Sequence, residues 1–171
     1  MHVIHQKNSG SVAARRNGVL CNIAQSSEYI TFVDADDILP QDALKRLKAG
    51  MNTDKVDLVC GRIKRKWKNL SISSKYTQPC FENAPKVYDN EEIIGELYIG
   101  CFGITNFPVN LYAKLYKTEL ITQAVIAPTI VKFMGDDLSV TLNVLPKCNS
   151  LVIIPDIVYY YSLGGNTSRY M

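Results

Sequence analysis

At 171 residues, with 47% hydrophobic and 20% charged side chains, the chain is long enough to bury a core and too apolar to be disordered. A formal net charge of +3 is too small to mark a nucleic-acid binder, and no apolar run approaches the ~20 residues that span a bilayer. Cys21, Cys60, Cys80, Cys101 and Cys148 are scattered without a C-x-x-C pair, so they read as small buried hydrophobes in a reducing cytosol rather than disulfides or zinc ligands.

In chain order, residues 3–6 read as a short strand flanked by His2 and His5, which lack a third ligand nearby and are taken as structural. Asn8-Ser9-Gly10 makes a turn, and helical spacing of apolar residues predicts a helix over 12–24. Apolar and β-branched residues over 29–33 predict a buried strand that ends in Asp34-Ala35-Asp36-Asp37. Pro40 suits an early helical position, Asp42 the first turn, and Ala43, Leu44, Leu47 and Met51 form one stripe. Lys45, Arg46 and Lys48 come late and Gly50 stands near the stop, a charge order that matches the helix dipole.

A strand over 56–63 leads into Lys64-Arg65-Lys66-Trp67-Lys68 and an irregular polar stretch reaching Pro85. Asp89 with Glu92 forms a capping box for a helix carrying Ile93, Ile94, Leu97 and Tyr98. Residues 112–124 are predicted helical in part. Gly135-Asp136-Asp137 opens a helix with Leu138, Thr141, Leu142 and Leu145 on one face, ended by Pro146. Segments 151–154 and 157–161 read as strands around Pro155, and 164–169 as loop. With no repeat or flexible linker, the pattern is that of one layered α/β domain.

Three carboxylates within four positions repel one another, and a fold tolerates them where a cation sits among them. Hard oxygen ligands of this kind suit Mg²⁺ or Mn²⁺, which hold phosphate oxygens in turn. The carboxyl end of a strand is also where open α/β sheets bind ligands. The competing reading is a solvated turn whose Asp37 caps the next helix. Asp136 and Asp137 sit where a helix start favours negative charge, and capping competes there too. Together the clusters suggest one that holds a metal and one that takes a proton. Arg62, Lys64, Lys66 and Lys68 share one face of a continued strand, with Ile63 and Trp67 on the other. That face reads as a solvated edge, or as a contact for anionic lipid head groups or a phosphate-bearing acceptor.

The stretch Asn8-Ser9-Gly10-Ser11-Val12-Ala13-Ala14-Arg15-Arg16-Asn17-Gly18, followed by Glu28 to Asp37, resembles the family 2 glycosyltransferases of GT-A fold. Their pattern reads N-x-G-x-x-x-A-R-N-x-G and then a strand ending in D-x-D-D; Arg16 stands where Asn is usual. Lys114-Leu115-Tyr116 is similar to the family's K-L-Y segment, and Gly135-Asp136-Asp137-Leu138 to its G-E-D-L segment. Tyr159-Tyr160-Tyr161 with Ser168 resembles its Y-x-Y-R…S ending, with Ser162 in place of Arg.

This resemblance implies a GT-A-type mixed sheet flanked by helices and incomplete at the N-terminus, because the family's base-binding strands precede the equivalent of residue 1. Residues 1–171 are then expected to form a single partial domain, whose open sheet edges invite self-association. It further implies that Asp36 and Asp37 contact Mn²⁺ or Mg²⁺ and the donor diphosphate, with Asp34 nearer the ribose. Arg15 and Asn8 are implied on the donor side. Asp137 is implied as the general base, with Asp136 orienting it or raising its pKa.

The implied reaction is inverting transfer from a nucleotide-sugar donor, a UDP-sugar, to a saccharide or lipid-linked acceptor in surface polysaccharide or glycolipid synthesis. The implied setting is cytoplasmic, with peripheral contact at the inner membrane face and no nucleic acid. Two alternatives remain. In a haloacid-dehalogenase-like phosphatase, Asp34 is the nucleophile, Asp36 the acid and Asp136 or Asp137 a Mg²⁺ ligand. In the other, the chain is an inactive fragment that serves as a binding module.

Overall fold

The computed structural model describes residues 2–52, 55–67, 70–72, 83–103, 107–128 and 135–163. In chain order the elements are α1 (Gly10–Leu20), α2 (Asn22–Gln25), β1 (Tyr29–Ile30), α3 (Ala43–Gly50), β2 (Leu58–Trp67) and β3 (Leu70–Ile72). There follow β4 (Lys86–Asp89), α4 (Asn90–Glu92), a π-helical turn (Ile93–Tyr98), β5 (Lys114–Lys117) and α5 (Thr118–Val125). The chain then forms α6 (Asp136–Val144), a 3₁₀ turn (Leu145–Lys147) and β6 (Ser150–Ser162).

Alternation along β2 and β6 sets the layers. Leu58 and Cys60 of β2, with Leu151 and Ile153 of β6, enter a core that also holds Val19 of α1, Ile121 and Ala124 of α5, and Val144 of α6. Val59, Val152 and Ile154 face the other way, onto Ala43 and Leu47 of α3. Strands apolar on both faces belong at the centre of a sheet. The order is β1-β5-β2-β6-β4, with β3 paired to β2 off this path. Among the described residues only β2 and β6 run parallel; the other strand pairs are antiparallel. The result is the expected mixed sheet between helices.

Several local expectations change. Residues 3–6 form no strand, and His2 and His5 are exposed. The helix expected over 12–24 begins at Gly10 and breaks at Cys21, whose extended backbone (φ −70°, ψ 151°) separates α1 from α2. The strand expected over 29–33 is short and half-buried: β1 stops at Ile30, and Phe32 makes one isolated bridge to Tyr112. Leu44 is 52% exposed, so the apolar face of α3 is Ala43, Leu47 and Met51. The Asp89–Glu92 capping box forms in both directions, at 2.9 and 3.0 Å.

Residues 112–124 are helical in part as expected, from Thr118 in α5, but the stretch before it is a strand. Ala113 takes a left-handed conformation (φ 59°), and the chain turns there into β5, where Leu115 and Tyr116 pair with Val59 and Leu58. The two strands expected around Pro155 are one. Cys60 pairs with Ile153 and Arg62 with Ile157, so β6 carries extra residues between them, and Pro155 sits in that bulge, where a missing N–H does no harm. Gly61 lies opposite; a Cβ there would come within 2.5 Å of the Val158 side chain. Cys21, Cys60, Cys101 and Cys148 are free thiols. Cys80, Lys68, Ser168, the side chain of Trp67 and the loop expected over 164–169 lie outside the described residues. Among the described residues no helix is long and apolar enough to cross a membrane.

Buried Asp57 ties three neighbouring elements together. Lys117 Nζ reaches its Oδ1 at 2.9 Å, and the backbone and side-chain N–H groups of Asn149 reach Oδ2 at 2.8 and 3.0 Å. Burial alone would raise its pKa, but these donors outweigh it and hold the carboxyl below its usual range. Folding therefore favours the ionised form, and the stability it adds is present above the unfolded value, about 3.9, and lost as pH falls through the lowered one. Asp57→Asn is expected to cost roughly 1–3 kcal/mol at neutral pH. It should also weaken the loss of stability between about pH 5 and pH 2, as urea unfolding at both ends of that range would read.

Candidate functional site

The first acidic cluster is held by the end of β6. Asp37 N–H closes a turn on the Asp34 carbonyl at 3.1 Å, and Ile38 and Tyr160 exchange backbone hydrogen bonds at 3.1 and 2.9 Å. Ser162 N–H donates to Asp37 Oδ1 at 2.7 Å, and the Tyr159 hydroxyl donates to Oδ2 at 2.8 Å. That hydroxyl accepts the Asp34 N–H at 3.1 Å. Asp37 thus clamps the turn to β6 instead of capping the next helix, whose N-cap is Asp42. Burial pushes the Asp37 carboxyl up, and the charges of Asp36 and Asp34 add to this against the two donors. Asp36 is exposed.

The second cluster is held by α1. Asn8 Oδ1 accepts the Gly10 N–H at 3.1 Å, so Asn8 shapes the turn into α1, and Gly10 supplies the positive φ of 87° at its start. Ser11 and Arg15, four residues apart, fall on one side of that helix. Gly135, at φ 93°, gives the left-handed entry into α6 that a glycine adopts without strain. Ser11 Oγ donates to Asp136 Oδ2 at 2.7 Å. One guanidinium nitrogen of Arg15 reaches Asp136 Oδ2 at 2.5 Å and Asp137 Oδ1 at 2.7 Å. The other reaches Asp34 Oδ1 at 3.2 Å. Arg15 therefore joins two clusters that lie far apart in sequence.

Three carboxylates share one guanidinium, and the excess is negative. Burial alone would lower the Arg15 pKa, but Asp137, Asp136 and Asp34 hold it above its ordinary value. The Asp137 carboxyl is pushed up by burial first and by the Asp136 charge, against the pull of Arg15 and the Leu111 N–H.

Lys114 and Tyr116 brace the other side of Asp137. Lys114 is buried, and its Nζ donates to the carbonyls of Pro108, at 2.8 Å, and of Asn110. Thr141 Oγ1 donates to Val109 O at 2.7 Å, and the Tyr116 hydroxyl to Leu111 O at 3.1 Å. Each carbonyl from 108 to 111 so receives a side-chain donor, and the Leu111 N–H is left facing Asp137 Oδ2 at 3.4 Å. Reading the sequence assigned no role to Lys114, Tyr116, Tyr159 or Tyr112; a lysine between apolar neighbours in K-L-Y was the one available signal. Tyr112 stacks on Tyr159 with centroids 4.3 Å apart and planes 16° apart, and lies 6.1 Å from Tyr161.

Along β2 the basic residues alternate with Ile63, which packs toward α3, and Lys66 Nζ sits 3.5 Å from the Tyr160 ring centroid. Among the described residues, no group of three or more His, Cys, Asp or Glu side chains is arranged to hold a metal by itself.

Comparisons with known proteins give the family and the fold. The sequence profile of glycosyl transferase family 2 matches residues 1–110. The uncharacterized glycosyltransferase EpsJ of Bacillus subtilis (strain 168) is 27% identical over 169 residues, covering 98% of this chain and 46% of EpsJ. Glycosyltransferase GlyA of Streptococcus pneumoniae serotype 4 (strain ATCC BAA-334 / TIGR4) is 33% identical over 125 residues, covering 70% of this chain and 17% of GlyA. The crystal structure of S. aureus TarS 1-349 in complex with UDP-GlcNAc superposes with a TM-score of 0.62 at 21% identity, over 94% of this chain and 41% of that one. The UDP complex of the same fragment gives 0.60 at 21%, over 91% and 40%. These structures establish the fold. The chain spans less than half the length of each relative.

The opposition of burial and Arg15 at Asp137 has a direct readout. In carbon-detected NMR titration, Asp137 should titrate above about 3.9, and Arg15→Met should move it further up. A downward or absent change in the variant would show that Arg15 does not act on this carboxylate in solution.

Proposed function

Because the chain belongs to glycosyl transferase family 2, we propose that it moves a sugar from a nucleotide-diphosphate donor to an acceptor hydroxyl with inversion. The observation that carries this reading is the bridge from Arg15 to both Asp34 and the Asp136–Asp137 pair, which gathers two acidic clusters around one space. A UDP-sugar donor is supported by the fold shared with TarS structures that hold UDP-GlcNAc and UDP. The acceptor is a saccharide or a lipid-linked saccharide, in the making of a surface polysaccharide or glycolipid at the cytoplasmic membrane face; the basic residues of β2 support contact with an anionic acceptor or surface. Family membership displaces the phosphatase alternative.

The donor set fits a hard divalent cation. Asp36 is exposed at the turn and Asp37 stands beside it with lone pairs beyond the two taken by Tyr159 and Ser162. One or two carboxylates completed by phosphate oxygens is the usual way Mg²⁺ is held, and Mn²⁺ accepts the same ligands. When bound, such an ion offsets charge on the diphosphate as it departs. Asp34 stays tied to Arg15 and the Tyr159 hydroxyl, which keeps the turn in place as the donor enters.

Asp137 then takes the proton of the acceptor hydroxyl. The acceptor hydroxyl oxygen attacks the anomeric carbon, the bond from that carbon to the phosphate oxygen breaks, and the nucleotide diphosphate leaves with the electron pair. Burial and the adjacent Asp136 strengthen Asp137 as a base, while Arg15 and the Leu111 N–H fix its direction. Ser11 and Arg15 hold Asp136 back from the acceptor, in an orienting role.

Calorimetry tests the donor half: UDP should bind more tightly with Mn²⁺ than without, and Asp36→Ala should remove the difference while leaving the melting point intact. Metal-linked binding that survives the substitution would rule this site out. For the transfer half, Asp137→Asn should keep UDP binding and lower turnover roughly a hundredfold or more, with Asp136→Asn milder. UDP binding with no transfer by the unsubstituted protein would favour the binding-module alternative.

A further inference from the structure

Tyr112 stands between the two clusters by backbone and by ring. It follows Leu111, whose N–H donates to Asp137, and it bridges to Phe32, two residues before Asp34. Its ring is fixed by stacking on Tyr159, whose hydroxyl grips Asp37. Its carbonyl accepts from Asn110 at 2.7 Å, yet among the described residues its hydroxyl has no hydrogen-bond partner. The residue as a whole is only partly buried. Burial and the surrounding charges of Asp37, Asp137 and Asp34 push its pKa well up, so the phenol stays neutral and able to donate.

Resting on the donor site proposed above, we propose that Tyr112 is a sugar-contacting residue, its hydroxyl donating to a hydroxyl or acyl oxygen of the transferred sugar. The diphosphate belongs with Asp36 and Asp37, and the acceptor proton goes to Asp137. The transferred sugar must lie between them, because its anomeric carbon is where one bond breaks and the other forms. A rigid neutral donor there reads the sugar and leaves the nucleotide unread.

Tyr112→Phe isolates the hydroxyl, since phenylalanine keeps the stack on Tyr159. The probes are UDP, UDP-GlcNAc and UDP-glucose, each with Mn²⁺, in calorimetry on the complete protein. The variant should bind the preferred UDP-sugar about 3–10-fold more weakly, with UDP affinity and melting point unchanged. Equal weakening toward UDP and the UDP-sugars with a lowered melting point would mark a packing residue and overturn the assignment. No change toward any probe would overturn it too, leaving the donor site standing. Failure of the unsubstituted protein to bind UDP at all would overturn both.

Discussion

Everything at the candidate site hangs on one guanidinium. Asp34 follows β1, Arg15 lies on α1, and Asp136 and Asp137 open α6, so two acidic clusters remote in sequence meet through a single side chain. Without a cation between them these carboxylates would repel across a half-buried space, where screening by water is weak. The planar fork of arginine lets separate nitrogens reach separate carboxylates, and lysine, a single point charge, would serve this geometry poorly. The balance is still negative, with three carboxylates on one guanidinium.

The scaffold supplies the stiffness that a cluster of like charges lacks. On one side, Tyr159, Tyr160 and Ser162 at the end of β6 hold the turn from 34 to 38 by backbone and side chain together. On the other, Lys114, Tyr116 and Thr141 take up the carbonyls of 108 to 111 and aim the Leu111 N–H at Asp137. Leaving those carbonyls unmet would cost about 1–3 kcal/mol each, so the loop has little freedom to turn away. Both braces rest on the central pair β2 and β6, which is buried on both faces.

Much of this was legible in the chain, for physical reasons that differ by residue. Carboxylates crowded at a strand end stand out because local sequence alone makes them costly, so Asp34, Asp36 and Asp37 could be picked out directly. Asp136 and Asp137 were visible beside Gly135, which announces a helix start. Arg15 came into view only through the family pattern, since a helix arginine by itself says nothing of what it will meet. Tyr112, Lys114 and Tyr159 stayed hidden because their work is done by tertiary hydrogen bonds and stacking, which leave no local trace. The same limit explains why the segment after Tyr112, expected to be helical in part, is helical only from Thr118 onward. Its apolar spacing allows a helix, but pairing of Leu115 and Tyr116 with β2 decides for a strand, and the left-handed Ala113 makes the turn into it.

The most direct test of the central claim is a crystal structure with Mn²⁺ and UDP, with the metal located by its anomalous scattering. This account expects a manganese peak on Asp36, within about 2.2 Å of a carboxylate oxygen, completed by oxygens of the diphosphate. It expects Arg15 to remain between Asp34 and Asp137. A manganese peak remote from residues 34–37, or Arg15 turned into solvent with the two acidic clusters drawn apart, would contradict it.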